Sequence, residues 1–149
     1  MVSTLPDISE LPRCATSLAK RLKELGYSSS GLHRVLGDDG LAALDRHEPA
    51  AVSFACNRFE HQTPNEHDRR LARAERLLIL REPQPRDMFV DTFGDSFFTD
   101  ALSAGVIVDE TDTDPQRFRI AIDIRPLHVG PSESSDFLVF SDADASMVD

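Results

Sequence analysis

The chain lacks tryptophan, has one tyrosine, Tyr27, and carries only two cysteines, Cys14 and Cys56, in 149 residues. Two cysteines far apart, with no CxxC context, argue against a disulfide framework and a thiolate zinc site; both read as free thiols packed in a core. The seven glycines are scattered, most of them at expected helix ends, and form neither G-x-G-x-x-G nor G-x-x-x-x-G-K-[ST]. A nucleotide or methyl donor in an α/β fold needs a glycine-rich turn after a strand, so that backbone can approach the ligand. No cofactor site is therefore expected within these residues. No apolar run approaches the roughly 18 residues of a spanning helix. The start, Met1 to Asp7, has no basic residue followed by an apolar run, which argues against a signal peptide. No membrane partner is expected, and the expected compartment is the cytoplasm.

What is present reads as one globular domain: 40% hydrophobic and 28% charged residues, in a length suited to a single core. Charge is unevenly placed. Residues 1–80 hold 11 Lys/Arg and 11 Asp/Glu, so residues 81–149 carry the whole net charge of −10. Phosphate is bound by neutralising it with Lys and Arg, so a DNA reader built on the second half is disfavoured. A solvated acidic surface that favours solubility is the plainer reading.

Leu11, Leu18, Leu22 and Leu25 fall on one face and predict a helix over 8–26, closed by Gly26. A short helix with Leu32, Val35 and Leu36 inward stops at Gly37. Asp38 or Asp39 caps the next, with Leu41, Ala42 and Leu44 on one side. Glu48-Pro49 breaks it, a helix over 50–59 follows, and 60–65 is a polar connector. The strongest helix spans 66–81, with Leu71, Ala74, Leu77, Leu78 and Leu80 buried. Short helices near 86–93 and 96–104 supply a Phe-rich cluster. The period then changes. Residues 106–108 are a short strand, 109–116 a polar turn or wing, and 117–125 a half-buried alternating strand ended by Pro126. After a loop at 130–135 comes a last strand, 137–140. The order over 66–125 is that of a winged helix. The fold class is therefore α+β, a mainly helical N-terminal half followed by a winged-helix-like helix/β-hairpin unit. The chain divides into a helical part at about 8–81, a winged-helix-like part at about 66–141 and an acidic boundary tail at 142–149.

The search for chemistry finds no catalytic constellation. His61 and His67 stand among Glu60, Glu66 and Asp68, but their spacing across a Pro-Asn turn is not that of a zinc site. Asp109, Glu110, Asp112 and Asp114 lack the glycine and the glutamate of a calcium loop. No G-x-S-x-G is present, and Ser134-Ser135-Asp136 has no histidine at a telling position. One strip stands out. Arg69, Arg70, Arg73 and Arg76, with Arg81 and Arg86 beyond, could dock onto RNA phosphates, an acidic partner or another domain. They could equally form a solvated face paired with Asp68 and Glu75.

Three segments together resemble a known family. Leu25-Gly26-Tyr27 with Gly31-Leu32 and Val35-Leu36-Gly37 is one. The second is Phe97 through Val108, with Ala101-Leu102 and Ala104-Gly105-Val106. The third is Arg119-Ile120-Ala121-Ile122-Asp123-Ile124-Arg125-Pro126-Leu127, then Phe137-Leu138-Val139-Phe140-Ser141-Asp142. In that order, over about residues 12–145, the chain is similar to the N-terminal domain of an actinobacterial family of class I SAM-dependent methyltransferases of the N5-glutamine or RNA-guanine type. In that family a Rossmann-like catalytic domain follows, with a glycine-rich S-adenosylmethionine loop and an Asn-Pro-Pro-type motif. Neither is in this sequence, so no catalytic residue is carried over. The resemblance implies a non-catalytic substrate-recognition or scaffolding domain, partnered by the downstream methyltransferase domain of the same polypeptide and acting on an RNA or protein substrate. The rival expectations are a stand-alone winged-helix nucleic-acid binder using the arginine strip, and a protein-interaction module using the Phe-rich segment 89–98.

Overall fold

The computed structural model describes residues 11–110, 115–128 and 136–142, with the side chains of 11–14, 136–137 and 141–142 excepted. It is a mixed helix-and-sheet fold. Six helices come first: α1 Leu11–Leu25, α2 Ser29–Asp45, α3 Pro49–Gln62, α4 Glu66–Glu75, α5 Arg86–Phe93 and α6 Asp95–Ala104. Four strands follow: β1 Ile107–Glu110, β2 Arg117–Ile120, β3 Ile122–His128 and β4 Asp136–Asp142. They form two antiparallel pairs, β1 with β2 and β3 with β4.

Local chemistry sets the breaks. Ser28 caps α2, its Oγ accepting from the Gly31 N–H at 3.0 Å. Gly37 adopts φ 70°, ψ −179°, so α2 is two helical segments joined at a kink. This is the stop expected at Gly37, realised as a bend that the His33–Asp38 contact spans at 2.8 Å. Pro49 sits in the first turn of α3, where its missing N–H costs nothing. The polar connector expected at 60–65 is shorter than its composition suggests, because α3 runs on to Gln62.

α4 is the centre of the fold. It continues as a π-helical turn over Arg76–Leu80, which ends at Arg81 in a left-handed conformation, φ 54°. Leu77, Leu78, Ile79 and Leu80 are all buried in succession. A helix turn that is apolar all round must be covered on every side, and α3, β2 and β3 pack around this segment. Phe89, Phe93, Phe97 and Phe98 close the core from α5 and α6; Phe98 meets Phe118 edge-on at 5.1 Å.

The single strand expected over 117–125 is two. Phe118, Ile120, Ile122 and Ile124 are buried as the alternation predicts. At Ala121, however, the chain leaves β1 and begins to pair with β4, and the Ala121 N–H donates to Val106 O at 2.8 Å. Pro126 does not end the strand but lies inside β3, opposite Leu138. The last strand is longer than 137–140, reaching Asp136 and Asp142. The first residues of the helix expected at 8–26, the hairpin tip with Asp112 and Asp114, the loop at 130–135 and the tail beyond 142 lie outside the described residues, as does the Cys14 side chain.

Candidate docking surface

The arginine strip is built on α4. Asn65 caps the helix, its side chain accepting from the N–H groups of His67 and Asp68 at 2.8 and 3.4 Å. Glu66 and Asp68 then place negative charge in the first turn, against the positive end of the helix dipole. From there Arg69, Arg70, Arg73 and Arg76 run along one side.

They are not a bare cationic face. Arg69 donates to Glu66 at 2.8 Å and to the Thr63 carbonyl at 3.0 Å. Arg70 lies 4.0 Å from Glu66. Arg73 holds Glu60 at 2.8 Å and lies 3.6 Å from Glu66, and Arg76 lies 3.8 Å from Glu60. The Arg69 hydrogen bond holds the Glu66 carboxyl below the usual carboxylate range, and the Glu60 hydrogen bond raises the Arg73 guanidinium. The partners are thus Glu60 on α3 and Glu66 on α4. The expected ones do otherwise: Asp68 pairs with Arg34 of α2 at 2.9 Å, and Glu75 is fully buried. Arg73 and Arg76 also border a shallow surface depression with Leu77, Glu82, Gln84 and Met88, which is too shallow to enclose a ligand. Arg81 and Arg86 leave the strip. Arg81 is buried 3.5 Å from Asp123, and Arg86 binds Asp95 at 2.5 Å while lying over the Phe98 ring.

The other sequence candidates are dispersed. His61 donates to the Asn57 carbonyl at 2.7 Å and His67 to the Glu24 carbonyl at 2.9 Å, on different helices' ends. Asp109 accepts from Gln116 at 2.6 Å, and Glu110 pairs with Arg119. Among the described residues no group of three or more His, Cys, Asp and Glu side chains is placed to hold a metal ion. Among them, too, no helix is long and apolar enough to cross a membrane. Cys56 is a buried free thiol, and its burial pushes its pKa up, away from thiolate reactivity.

Sequence reasoning missed Glu75. Neither of its carboxyl oxygens has a hydrogen-bond partner among the described residues, and burial pushes its pKa well above the usual 4.5, with Arg34 opposing. Burial first, and an ionised Glu75 second, would push up the pKa of Tyr27 and Cys56. The signal was available: position 75 is four after Leu71 and three before Leu78, on the apolar face. Also missed was the use of Tyr27, whose buried hydroxyl donates to Ile124 O at 2.6 Å. That bond joins the first and third of the segments that carry the family resemblance. These residues are spent on holding the fold together.

A further exposed feature lies on the β3–β4 hairpin. Ile124, Leu138 and Phe140 face the core, while Leu127 and Val139, at 51% and 44% exposure, face away from it.

The sequence model of a family described as Domain of unknown function (DUF7059) matches residues 24–118. No curated protein matches the chain, and no solved structure does.

Proposed function

We propose that this chain, which belongs to the DUF7059 family, is the non-catalytic N-terminal domain of a SAM-dependent methyltransferase, and that it positions an RNA or protein substrate for a catalytic domain downstream in the same polypeptide. S-adenosylmethionine is then bound by that following domain and the protein works in the cytoplasm. The observation that carries the reading is the outward face of the β3–β4 hairpin. Leu127 and Val139 stand exposed there, on neighbouring strands. Contiguous exposed apolar patches mark surfaces that meet another protein; here Leu127 and Val139 share their face with Arg125, which stands opposite Val139. The arginine strip favours this reading over a stand-alone nucleic-acid binder that grips phosphate through these arginines, because phosphate would have to displace Glu60 and Glu66 from Arg69, Arg73 and Arg76.

The test is the coding DNA past the Asp149 codon. An open frame that soon encodes a strand, a glycine-rich turn and an Asn-Pro-Pro motif is the expected result. A stop codon directly after Asp149 overturns the reading. Calorimetry on the 1–149 chain gives a second check: no heat of binding with S-adenosylmethionine is expected, and micromolar binding refutes it.

A further inference from the structure

Each two-stranded sheet has two edges, and an open edge is a row of bare backbone donors and acceptors that folded proteins normally blunt. Three of the four edges here are blunted. β2 exchanges two backbone hydrogen bonds with Gln84, both 2.8 Å. β1 is only four residues long and ends in Asp109 and Glu110. β3 carries Pro126, which has no N–H to leave bare, and its Ile124 carbonyl is taken by Tyr27.

β4 shares with β1 only the acidic ends. It is seven residues long, Asp136–Asp142, with no proline and no charge between its two end aspartates. Among the described residues no strand pairs with its outer edge. The register says which groups that edge presents. The Ile124 carbonyl points at Tyr27, so Ile124 turns its backbone away from β4, and Pro126, two residues on, shares that orientation. Their partners Phe140 and Leu138 therefore turn their N–H and C=O groups away from β3. The side chains of both pack partly against the core, and Val139 between them is exposed. A strand added here would continue the apolar, core-facing side of the hairpin. A two-stranded sheet is also marginal by itself and gains from a third strand.

We propose that the outer edge of β4 takes up, by strand addition, an extended polypeptide segment of alternating apolar residues flanked by lysine or arginine. The flanking charge follows from the sequence around β4. From Pro126 to Asp149 there are five Asp/Glu and no Lys/Arg. A second copy of β4 fits poorly, since antiparallel pairing about Val139 would set the aspartate at each strand end against its counterpart in the other copy. Like charges directly opposite each other are destabilising. The inference goes beyond the methyltransferase reading and stands on β4 alone; that the captured segment is a protein substrate is the part that rests on that reading.

The test titrates three labelled peptides into the 1–149 chain, followed by fluorescence anisotropy at low and moderate salt. The probe is Lys-Lys-Val-Thr-Val-Thr-Val-Lys-Lys. The first control replaces both threonines by proline, keeping charge and apolar content; the second replaces every lysine by aspartate. The probe is expected to bind at least tenfold tighter than either control and to slow amide exchange at Leu138 and Phe140. V139K, on the exposed face opposite Arg125, sets a like charge against the basic probe and is expected to weaken it at least tenfold. L138P removes an outward N–H that β3 does not use and is expected to do the same. Circular dichroism confirms that each variant is folded; V139K keeps the test decisive if L138P is not. Equal binding of the proline peptide refutes strand addition, and equal binding of the aspartate peptide refutes the basic partner. No probe binding at millimolar concentration, or a wild-type dimer in ultracentrifugation that V139K dissolves, overturns the proposal. The reading-frame test of the preceding section is unaffected by any of these results.

Discussion

Replacing Glu75 by methionine is expected to make the protein more stable, by an amount that grows with pH. The carboxyl is fully buried and neither oxygen is hydrogen-bonded among the described residues. A buried polar group without a partner costs about 1–3 kcal/mol even when neutral. Ionisation adds to this. Because burial raises the folded-state pKa well above 4.5, the folded chain holds this proton more tightly than the unfolded chain does. Stability from this group is therefore fully present below pH 4.5 and is lost as pH rises from there towards the raised value, at about 1.4 kcal/mol per pH unit. Methionine has a similar length and adaptable packing, and it removes both costs. E75M is thus expected to gain about 1–3 kcal/mol at pH 4 and at least about 1 kcal/mol more at pH 7. Urea titrations at the two pH values measure this directly; in a heat melt each kcal/mol moves the midpoint by about 2–4 °C for a chain of this size. A variant less stable than the parent at pH 7 refutes the reasoning. So does a gain equal at both pH values, since that would mean a carboxylate already ionised and accommodated.

Two further perturbations probe the contacts that close the fold. Y27F deletes the buried bond to Ile124 and leaves that carbonyl bare, so a loss of about 1–3 kcal/mol is expected by urea titration; an unchanged midpoint would mean that the bond contributes nothing. G31A places a methyl 2.1 Å from the Gly26 carbonyl, and an overpacking cost of about 1–3 kcal/mol or more is expected; a variant with the parent's melting temperature would show that the turn at 26–31 yields freely.

Periodicity made most of the helices legible. The apolar faces of α1, α4, α5 and α6 recur at helical spacing, and the stops at Gly26, Gly94 and Gly105 are positions of positive φ that glycine alone adopts cheaply. Alternation likewise gave the burial of Phe118, Ile120, Ile122 and Ile124 correctly, yet it gave the wrong element. Period two describes which side chains point inward; it is silent on which neighbour the backbone pairs with. The change of partner at Ala121 leaves the alternation intact, so one strand and two look the same. Pro126 misled for a related reason. Proline ends a strand only where its N–H is needed, and at a position facing away from the partner it is not.

The candidate surface was half legible, and the failures share one cause. Four arginines at helical spacing are visible in the sequence, but their meaning depends on what stands opposite, and that is fixed by packing. Glu60 lies on a different helix, and only the packing of α3 against α4 brings it to Arg73 at 2.8 Å. Glu75 shows the converse. Its place on the apolar face follows from counting to Leu71 and Leu78, whereas its charge suggests solvent. Where helices pack on all sides, the count decides. The turn from Leu77 to Leu80 confirms it: four consecutive residues are buried, which no amphipathic period predicts, because α3, β2 and β3 pack against that segment.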